Sequence, residues 1–220
     1  RLAPEFPYPA ATDDVFSVYE SLCDDSRPLV VAGDSAGGNL TLVTLLKARD
    51  QQLPLPDCAL AISPGADATG RFPSLQANSD SDVMLSKVMI DTAVSVYLNG
   101  ADPAQPYISP CLGDYSGFPP LILTVSEEEC LRDDAYSVAQ KARDAGVNVT
   151  LISRSGMPHV WPVFTSLLPE ARQDFPKILQ KIKNHLARRQ LDVYSGSVPI
   201  NELSDSLDVL PEQLNGAEVM

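Results

Sequence analysis

The chain has few basic residues and no long apolar runs, and each shortage excludes a class of function. Its 220 residues carry 16 lysines and arginines against 29 acidic residues, a formal net charge of −13. A chain this acidic is unsuited to binding nucleic-acid phosphates or anionic membrane surfaces. The longest apolar runs, residues 28–32 and 121–125, are far too short to cross a bilayer. We therefore expect neither nucleic-acid binding nor a membrane span, and we recognise no signal peptide.

Cysteine and histidine are also scarce. Four cysteines and two histidines, without a CxxC pair, are too few and too scattered for a disulfide framework or a zinc site. We expect four reduced, at least half-buried thiols, which favours a cytoplasmic location. Glycosylation sequons at Asn39 and Asn148 fall inside a predicted helix and at a predicted strand, so we expect no glycan at either.

Short apolar segments alternate with helical patterns along residues 1–190. Strands are predicted at 28–32, 58–62, 121–125 and 147–151, and helices from residue 10, after residue 38, and at 84–98, 133–145 and 176–189, with a loop at 63–82. This alternation predicts a doubly wound, mostly parallel α/β sheet. Residues 191–220 contain six acids and no bases. We predict a disordered acidic tail there, or alternatively a partner-binding peptide, after a single domain at 1–190.

The segment Gly33-Asp34-Ser35-Ala36-Gly37 joins a predicted strand to a predicted helix. This is the G-x-S-x-G nucleophile elbow in its required context, although a glycine-rich turn that binds phosphate is the alternative. The turn is so tight that we expect a strained backbone at Ser35 and a steric need for glycine at both flanking positions. Ser35 Oγ would then stand at the carboxyl end of the strand, with the Ala36 N–H directed at an oxyanion.

A serine nucleophile needs a base, and the two histidines differ in position. His185 lies among charged residues on the last predicted helix and is interpreted as a surface residue. His159 directly follows the last predicted strand, at the same edge of the sheet as Ser35. We therefore predict His159 as the base.

The third member of the triad should be a carboxylate after an intervening strand, because the chain order in this fold is serine, acid, histidine. Residues 126–134, after the strand at 121–125, contain five carboxylates. Asp133 and Asp134 suit the N-cap and first turn of the following helix. This leaves Glu127, Glu128 and Glu129 open.

Motifs shared with one enzyme family run from residue 1 to about residue 188. They are Arg1-Leu2-Ala3-Pro4-Glu5, Pro7-Tyr8-Pro9-Ala10-Ala11, the elbow extended through Gly38-Asn39-Leu40, Ile62-Ser63-Pro64, Tyr97-Leu98 with Gly100-Ala101-Asp102-Pro103, Ser109-Pro110, Phe118-Pro119-Pro120 and Met157-Pro158-His159-Val160-Trp161. With these motifs the sequence resembles the hormone-sensitive-lipase-like family of α/β-hydrolase carboxylesterases. The resemblance implies the α/β-hydrolase fold, and residues 191–220 lie outside it.

The resemblance also implies residue roles. In the family the triad acid lies four residues before the first Asp of an Asp-Asp pair, a position that Glu129 occupies here, with Glu128 as the alternative. The implied mechanism uses Ser35, His159 and Glu129, holds the oxyanion with the Ala36 N–H, and needs neither a metal nor an organic cofactor.

The family's His-Gly-Gly-Gly-type oxyanion loop has no counterpart in the sequence. Gly37-Gly38 is its only Gly-Gly pair, and His-Gly does not occur. The chain also begins at Arg1, inside a family motif. We therefore expect a piece of a longer enzyme that lacks the N-terminal strands and the oxyanion loop, which would leave the strand at 28–32 as an edge.

The predicted function is hydrolysis of small, neutral-to-apolar acyl esters through an acyl-enzyme. Related alternatives are a deacetylase, lactonase or thioesterase of a biosynthetic pathway, which the triad does not separate. A different class is a non-catalytic ligand-binding protein or an inactive truncated homologue on the same fold. The joint presence of Ser35, His159 and a suitable carboxylate favours the enzyme.

Overall fold

A parallel sheet of four strands forms the centre of the computed structural model, which describes residues 1–24 and 27–197. The strands are β1 (Val30–Asp34), β2 (Cys58–Ile62), β3 (Leu121–Ser126) and β4 (Val149–Arg154), and they lie side by side in that order. Every neighbouring pair is parallel. The predicted parallel α/β sheet is confirmed, and β1 lies at one edge of the described sheet.

Six helices accompany these strands in the described part of the chain. They are α1 (Ala10–Glu20), α2 (Ala36–Asp50), α3 (Ser74–Ala77), α4 (Lys87–Leu98), α5 (Arg132–Asp144) and α6 (Pro169–Ser197), with short 3₁₀ turns at Pro110–Leu112 and Trp161–Val163. No described helix is long and apolar enough to cross a membrane.

Side chains of β2 and β3 alternate between two cores, as successive residues of a strand must. Ala59 and Ala61 pack with α2 and α5 on one face of the sheet. Leu60 and Ile62 pack on the other face with Ile178 of α6. Because both faces are covered, these strands are continuous apolar runs in the sequence.

The first helix and the cysteines complete the interior. Phe16 and Tyr19 of α1 pack against Ala48 of α2 in a third apolar cluster. All four cysteines are buried and none is paired with another, in agreement with the predicted burial.

Several boundaries differ from the predicted ones. The first strand starts at Val30 rather than at residue 28, because the Leu29 N–H donates to the Asp57 carboxylate instead of to a strand. The last strand starts at Val149 rather than at residue 147, because the Val147 N–H donates to the Ala142 carbonyl at the end of α5.

Two helices also depart from the predicted pattern. The segment 63–82, predicted as a loop, contains α3. The last helix begins at Pro169 and passes through Pro176, the residue at which it was predicted to start. Proline is favoured in the first helical turn, and Pro169, not Pro176, occupies that turn. The helix also continues to Ser197, into the predicted tail 191–220, whose remaining residues 198–220 lie outside the described chain.

Candidate active site

Ser35 lies at the sharp turn between β1 and α2. Its backbone adopts φ 54° and ψ −116°, a conformation that residues other than glycine rarely take. The turn is held from both sides, because the Ser35 N–H donates to the Ile62 carbonyl at 2.8 Å and the Ser35 carbonyl accepts from the Asn39 N–H at 3.1 Å. The predicted strain at the elbow serine is therefore present.

The glycines of the elbow have different steric roles. A Cβ atom on Gly33 would lie 2.2 Å from the Gly37 carbonyl oxygen, which no side chain can accept. Apart from its chain neighbours and the backbone of its own helix, a Cβ on Gly37 would meet no described atom within 4 Å, so the expectation that both flanking positions need glycine is wrong for Gly37. The second close approach is at Gly38, where a Cβ would lie 3.0 Å from Pro64.

Ala36 is the first residue of α2 and is exposed. The N–H groups of a first helical turn have no acceptor within the helix, and the helix dipole adds partial positive charge there. The Ala36 N–H next to Ser35 is thus the kind of donor that an oxyanion requires.

His159 lies in the loop after β4 and is only 4 % exposed. Its Nδ1 lies 2.8 Å from Glu129 Oε2. Its Nε2 is buried and has no hydrogen-bond partner among the described residues, so it is not bonded to Ser35 in this structure. Hydrogen bonds of a catalytic base often close only when substrate binds.

Glu129, 1 % exposed, is held by three donors. Its Oε1 accepts from the Ser126 N–H and from the Ser63 hydroxyl, both at 2.8 Å, while Oε2 faces His159. The carboxylate orientation is therefore fixed by neighbours that leave one oxygen for the imidazole.

The two preceding glutamates have other partners. Glu128 Oε2 accepts from the Gly156 N–H at 2.7 Å and from the Ser126 hydroxyl at 3.0 Å. Glu127 Oε1 accepts from the hydroxyls of Tyr136 and Ser153, and these bonds lower the pKa of Glu127. Among the three glutamates, the structure brings Glu129 to His159.

Asp133 and Asp134 lie in the first turn of α5, as predicted, but neither is its N-cap, which is Leu131. Asp134 Oδ1 accepts from the backbone N–H groups of Ala66 and Asp67, both at 2.7 Å, so it anchors the loop after β2. Burial raises the pKa of Asp134 to about 8, against the opposing effect of these two bonds.

A pocket of about 450 Å³ opens beside Ser35. Its lining is mostly apolar, and α4 provides much of it through Met89, Ile90, Ala93, Val94 and Tyr97. Asn39, which also lines the pocket, donates through Nδ2 to the carbonyls of Gly65 at 2.7 Å and Ile108 at 2.9 Å, which fixes two further lining segments.

No cluster of three or more histidine, cysteine, aspartate or glutamate side chains that could hold a metal occurs in residues 1–24 and 27–197. The other histidine, His185, lies half-buried on α6.

Comparison with known proteins assigns this arrangement to a family. The family described as alpha/beta hydrolase fold matches residues 1–163 of the chain. The chain belongs to this family. The α/β-hydrolase fold predicted from the sequence motifs is therefore confirmed.

Relatives of this α/β hydrolase are esterases and acetyl-hydrolases by name. An acetyl-hydrolase from Streptomyces hygroscopicus is 38% identical over 176 residues, which cover 79% of this chain and 59% of the relative. The crystal structure of an esterase/lipase from an uncultured bacterium matches with a TM-score of 0.80 and 40% identity, over 85% of this chain and 64% of the other.

The structure of a hormone-sensitive lipase from a metagenome library matches with a TM-score of 0.80 and 34% identity, over 84% of this chain and 65% of the other. The resemblance to the hormone-sensitive-lipase-like family is confirmed. The chain spans about three fifths of the length of the curated relatives that it matches.

Sequence reasoning gave no role to two parts of the site. Ser63 belongs to the Ile62-Ser63-Pro64 motif and directly follows β2, at the same sheet edge as the elbow, and this placement could have indicated a role in the site. Eight of the twelve residues of α4 are apolar, and none of its residues is buried. An apolar helix without a buried face is the pattern that could have indicated a pocket wall.

Proposed function

We propose that this α/β hydrolase is a carboxylesterase-type serine hydrolase with Ser35 as nucleophile, His159 as base and Glu129 as acid. One observation carries the proposal: His159 Nε2 has no partner in the part of the chain that the structure describes, while its Nδ1 is bonded to a buried carboxylate. A histidine held in this way can accept a proton from a serine, and Ser35 stands in a strained elbow on the wall of the mostly apolar pocket.

The first half of the proposed reaction uses these three side chains. His159 Nε2 accepts the hydroxyl proton of Ser35 while Ser35 Oγ bonds to the carbonyl carbon of the ester. The Ala36 N–H donates to the resulting oxyanion. When the tetrahedral intermediate collapses, the bond to the alcohol oxygen breaks, and the alcohol leaves with the proton from His159.

The second half repeats these steps with water. His159 takes a proton from water as the water oxygen bonds to the acyl carbon, and it returns that proton to Ser35 Oγ as the acid departs. In both halves Glu129 accepts the Nδ1–H bond, holds the imidazole tautomer and stabilises the imidazolium.

The pocket supports small, neutral-to-apolar acyl esters as substrates. Apart from Asp67 its lining side chains carry no charge, and that carboxylate is already bonded to Arg71 and Thr69. A charged substrate would therefore lose its hydration without gaining a free counter-ion. Four buried, free cysteines support a reducing compartment such as the cytoplasm.

The test is covalent labelling of the 220-residue chain with a fluorophosphonate, followed by intact-mass measurement. We expect one adduct on the parent, none on Ser35→Ala, and one on Ser21→Ala, which removes an exposed serine at the end of α1. A folded parent that takes up no adduct, or a Ser35→Ala variant that still does, would contradict the proposal.

A further inference from the structure

Ser63 is a fully buried serine directly after β2, and its backbone is unusual. It is 0 % exposed and has φ 45°, in the left-handed region that residues other than glycine seldom occupy. Its N–H donates to the Thr124 carbonyl at 2.8 Å, which ties this conformation to β3. Strained backbone of this kind persists only where the surroundings over-determine it, and it concentrates at functional sites.

The Ser63 hydroxyl has two partners, and both belong to the proposed triad or adjoin it. Oγ donates to Glu129 Oε1 at 2.8 Å and accepts from the Val160 N–H at 3.2 Å. One hydroxyl thus uses its single donor and one acceptor position to connect the acid with the residue that follows His159. Val160 itself has φ 55°, so the loop at this point is also in a conformation that needs support.

The two donors on Oε1 determine which carboxylate oxygen faces the histidine. The Ser126 N–H and the Ser63 hydroxyl both bond Oε1, which leaves Oε2 for His159 Nδ1. The Ser126 N–H lies three residues before Glu129 and fixes only the acid's own turn. Ser63, by contrast, contacts the acid loop and the histidine loop together.

We propose that Ser63 is a positioning residue that holds the Glu129 carboxylate and the His159 loop in register, so that Nε2 is presented towards Ser35. This inference rests on the proposed esterase reaction. Ser63 contacts no substrate and acts through the Glu129–His159 pair. Without the Ser63 hydroxyl, the Glu129 carboxylate has one hydrogen-bond donor fewer and the Val160 N–H loses its acceptor. The imidazole then samples orientations that do not reach Ser35.

The first test reads the Glu129–His159 hydrogen bond without using activity. A proton held between an imidazole nitrogen and a carboxylate resonates far downfield of amide protons in the ¹H NMR spectrum. The chain has only two histidines, so Glu129→Ala and His185→Asn assign the signal: the first abolishes it and the second leaves it. We expect Ser63→Ala to shift this resonance or broaden it by exchange with water.

A matched control removes a different buried hydroxyl. Ser109 is also 0 % exposed, and its Oγ accepts from the Ala68 N–H and donates to the Pro103 carbonyl. Ser109→Ala should leave the downfield resonance in place. Ser63→Gly, which removes the same hydroxyl and relieves the left-handed backbone, is the second variant in case Ser63→Ala does not fold. A folded Ser63 variant with an unmoved resonance would overturn the proposal.

The second test is kinetic. We expect Ser63→Ala to lower kcat for p-nitrophenyl acetate roughly 10- to 100-fold, the effect of one charge-assisted hydrogen bond, with KM nearly unchanged. In a Glu129→Ala background the same substitution should cost almost nothing more, because its effect passes through that carboxylate. An equal loss of kcat from Ser63→Ala in the parent and in Glu129→Ala would overturn the positioning role.

The two hypotheses fail in different ways. If the parent takes up no fluorophosphonate and hydrolyses no ester, the esterase proposal fails, while the resonance still decides whether Ser63 holds the pair. If the parent is active and the resonance does not respond to Ser63→Ala, the positioning inference fails and the esterase proposal stands.

Discussion

His159 Nδ1 lies 2.8 Å from Glu129 Oε2, and both side chains are almost completely buried. Glu128, the neighbouring residue, turns its carboxylate to the Gly156 N–H instead. Two adjacent acids of the same type thus support the histidine loop differently: Glu129 contacts the ring, and Glu128 contacts the backbone that leads to it.

This difference predicts unequal effects of two isosteric substitutions. Glu129→Gln removes the charge that fixes the His159 tautomer, and we expect it to lower kcat for p-nitrophenyl acetate by roughly 10³- to 10⁴-fold. Glu128→Gln keeps an acceptor oxygen for the Gly156 N–H, so its effect should stay within about tenfold. Steady-state kinetics on both variants, with circular dichroism to verify folding, checks this. A larger loss of kcat in Glu128→Gln than in Glu129→Gln would show that Glu128, and not Glu129, acts as the acid.

The elbow glycines predict a contrast in stability. Gly33→Ala forces a Cβ to 2.2 Å from the Gly37 carbonyl, and we expect it to lower the free energy of unfolding by roughly 1–3 kcal/mol or more. Gly37→Ala meets open space on a helix, so it should be neutral or raise that free energy by up to about 1 kcal/mol. Urea unfolding measures both. Equal destabilisation by the two variants would contradict the steric assignment.

The sequence predicted one sheet edge for Ser35 and His159 because Ser35 directly follows β1 and His159 lies in the loop after β4. The carboxyl ends of parallel strands lie at one edge of a sheet, so the sequence predicts a common edge for the elbow and the histidine, although β1 and β4 are the two outer strands of the described sheet. The proposed acid was harder to choose from the sequence. Glu127, Glu128 and Glu129 lie in a turn after β3, where the directions of successive side chains do not follow a regular repeat. Only the turn's hydrogen bonds, such as Glu129 N–H to the Ser126 carbonyl, decide which carboxylate faces His159.

Strand and helix limits were predictable where burial alone sets them. β2 matches its predicted range because its residues are buried on both faces of the sheet. Helix α3 has only four residues, too few for a periodic pattern, and is anchored by tertiary bonds from Ser74 to Asp133 and Cys130. Long-range contacts of this kind leave no local signal in a sequence.

Asp134 predicts a loss of stability as the pH rises. Its pKa is about 8 in the folded chain against an ordinary value of 3.8, because burial disfavours the charged form. Between these values the folded chain holds a proton that the unfolded chain releases, so the free energy of unfolding falls as the pH rises from about 4 to about 8.

Asp134→Asn keeps an acceptor for the N–H groups of Ala66 and Asp67 and removes this titration. We expect its Tm relative to the parent to increase steadily from pH 5 to pH 8. Asp133→Asn is the matched control, because bonds to Arg132 and Ser74 lower the pKa of Asp133, and its Tm difference from the parent should stay constant over that range. A Tm difference for Asp134→Asn that does not change with pH would show that Asp134 is ionised throughout.

The pocket wall on α4 predicts control of substrate size. Val94 lines the pocket, whereas Val88 on the same helix does not and is 74 % exposed. Val94→Trp fills part of the roughly 450 Å³ beside Ser35. We expect it to reduce kcat/KM more than about tenfold for p-nitrophenyl hexanoate and much less for the acetate, because only the longer ester needs the lost volume. Val88→Trp should keep the parent's ratio of kcat/KM for the two esters. If both tryptophan variants kept the parent's ratio of acetate to hexanoate hydrolysis, the longer ester would have to bind elsewhere.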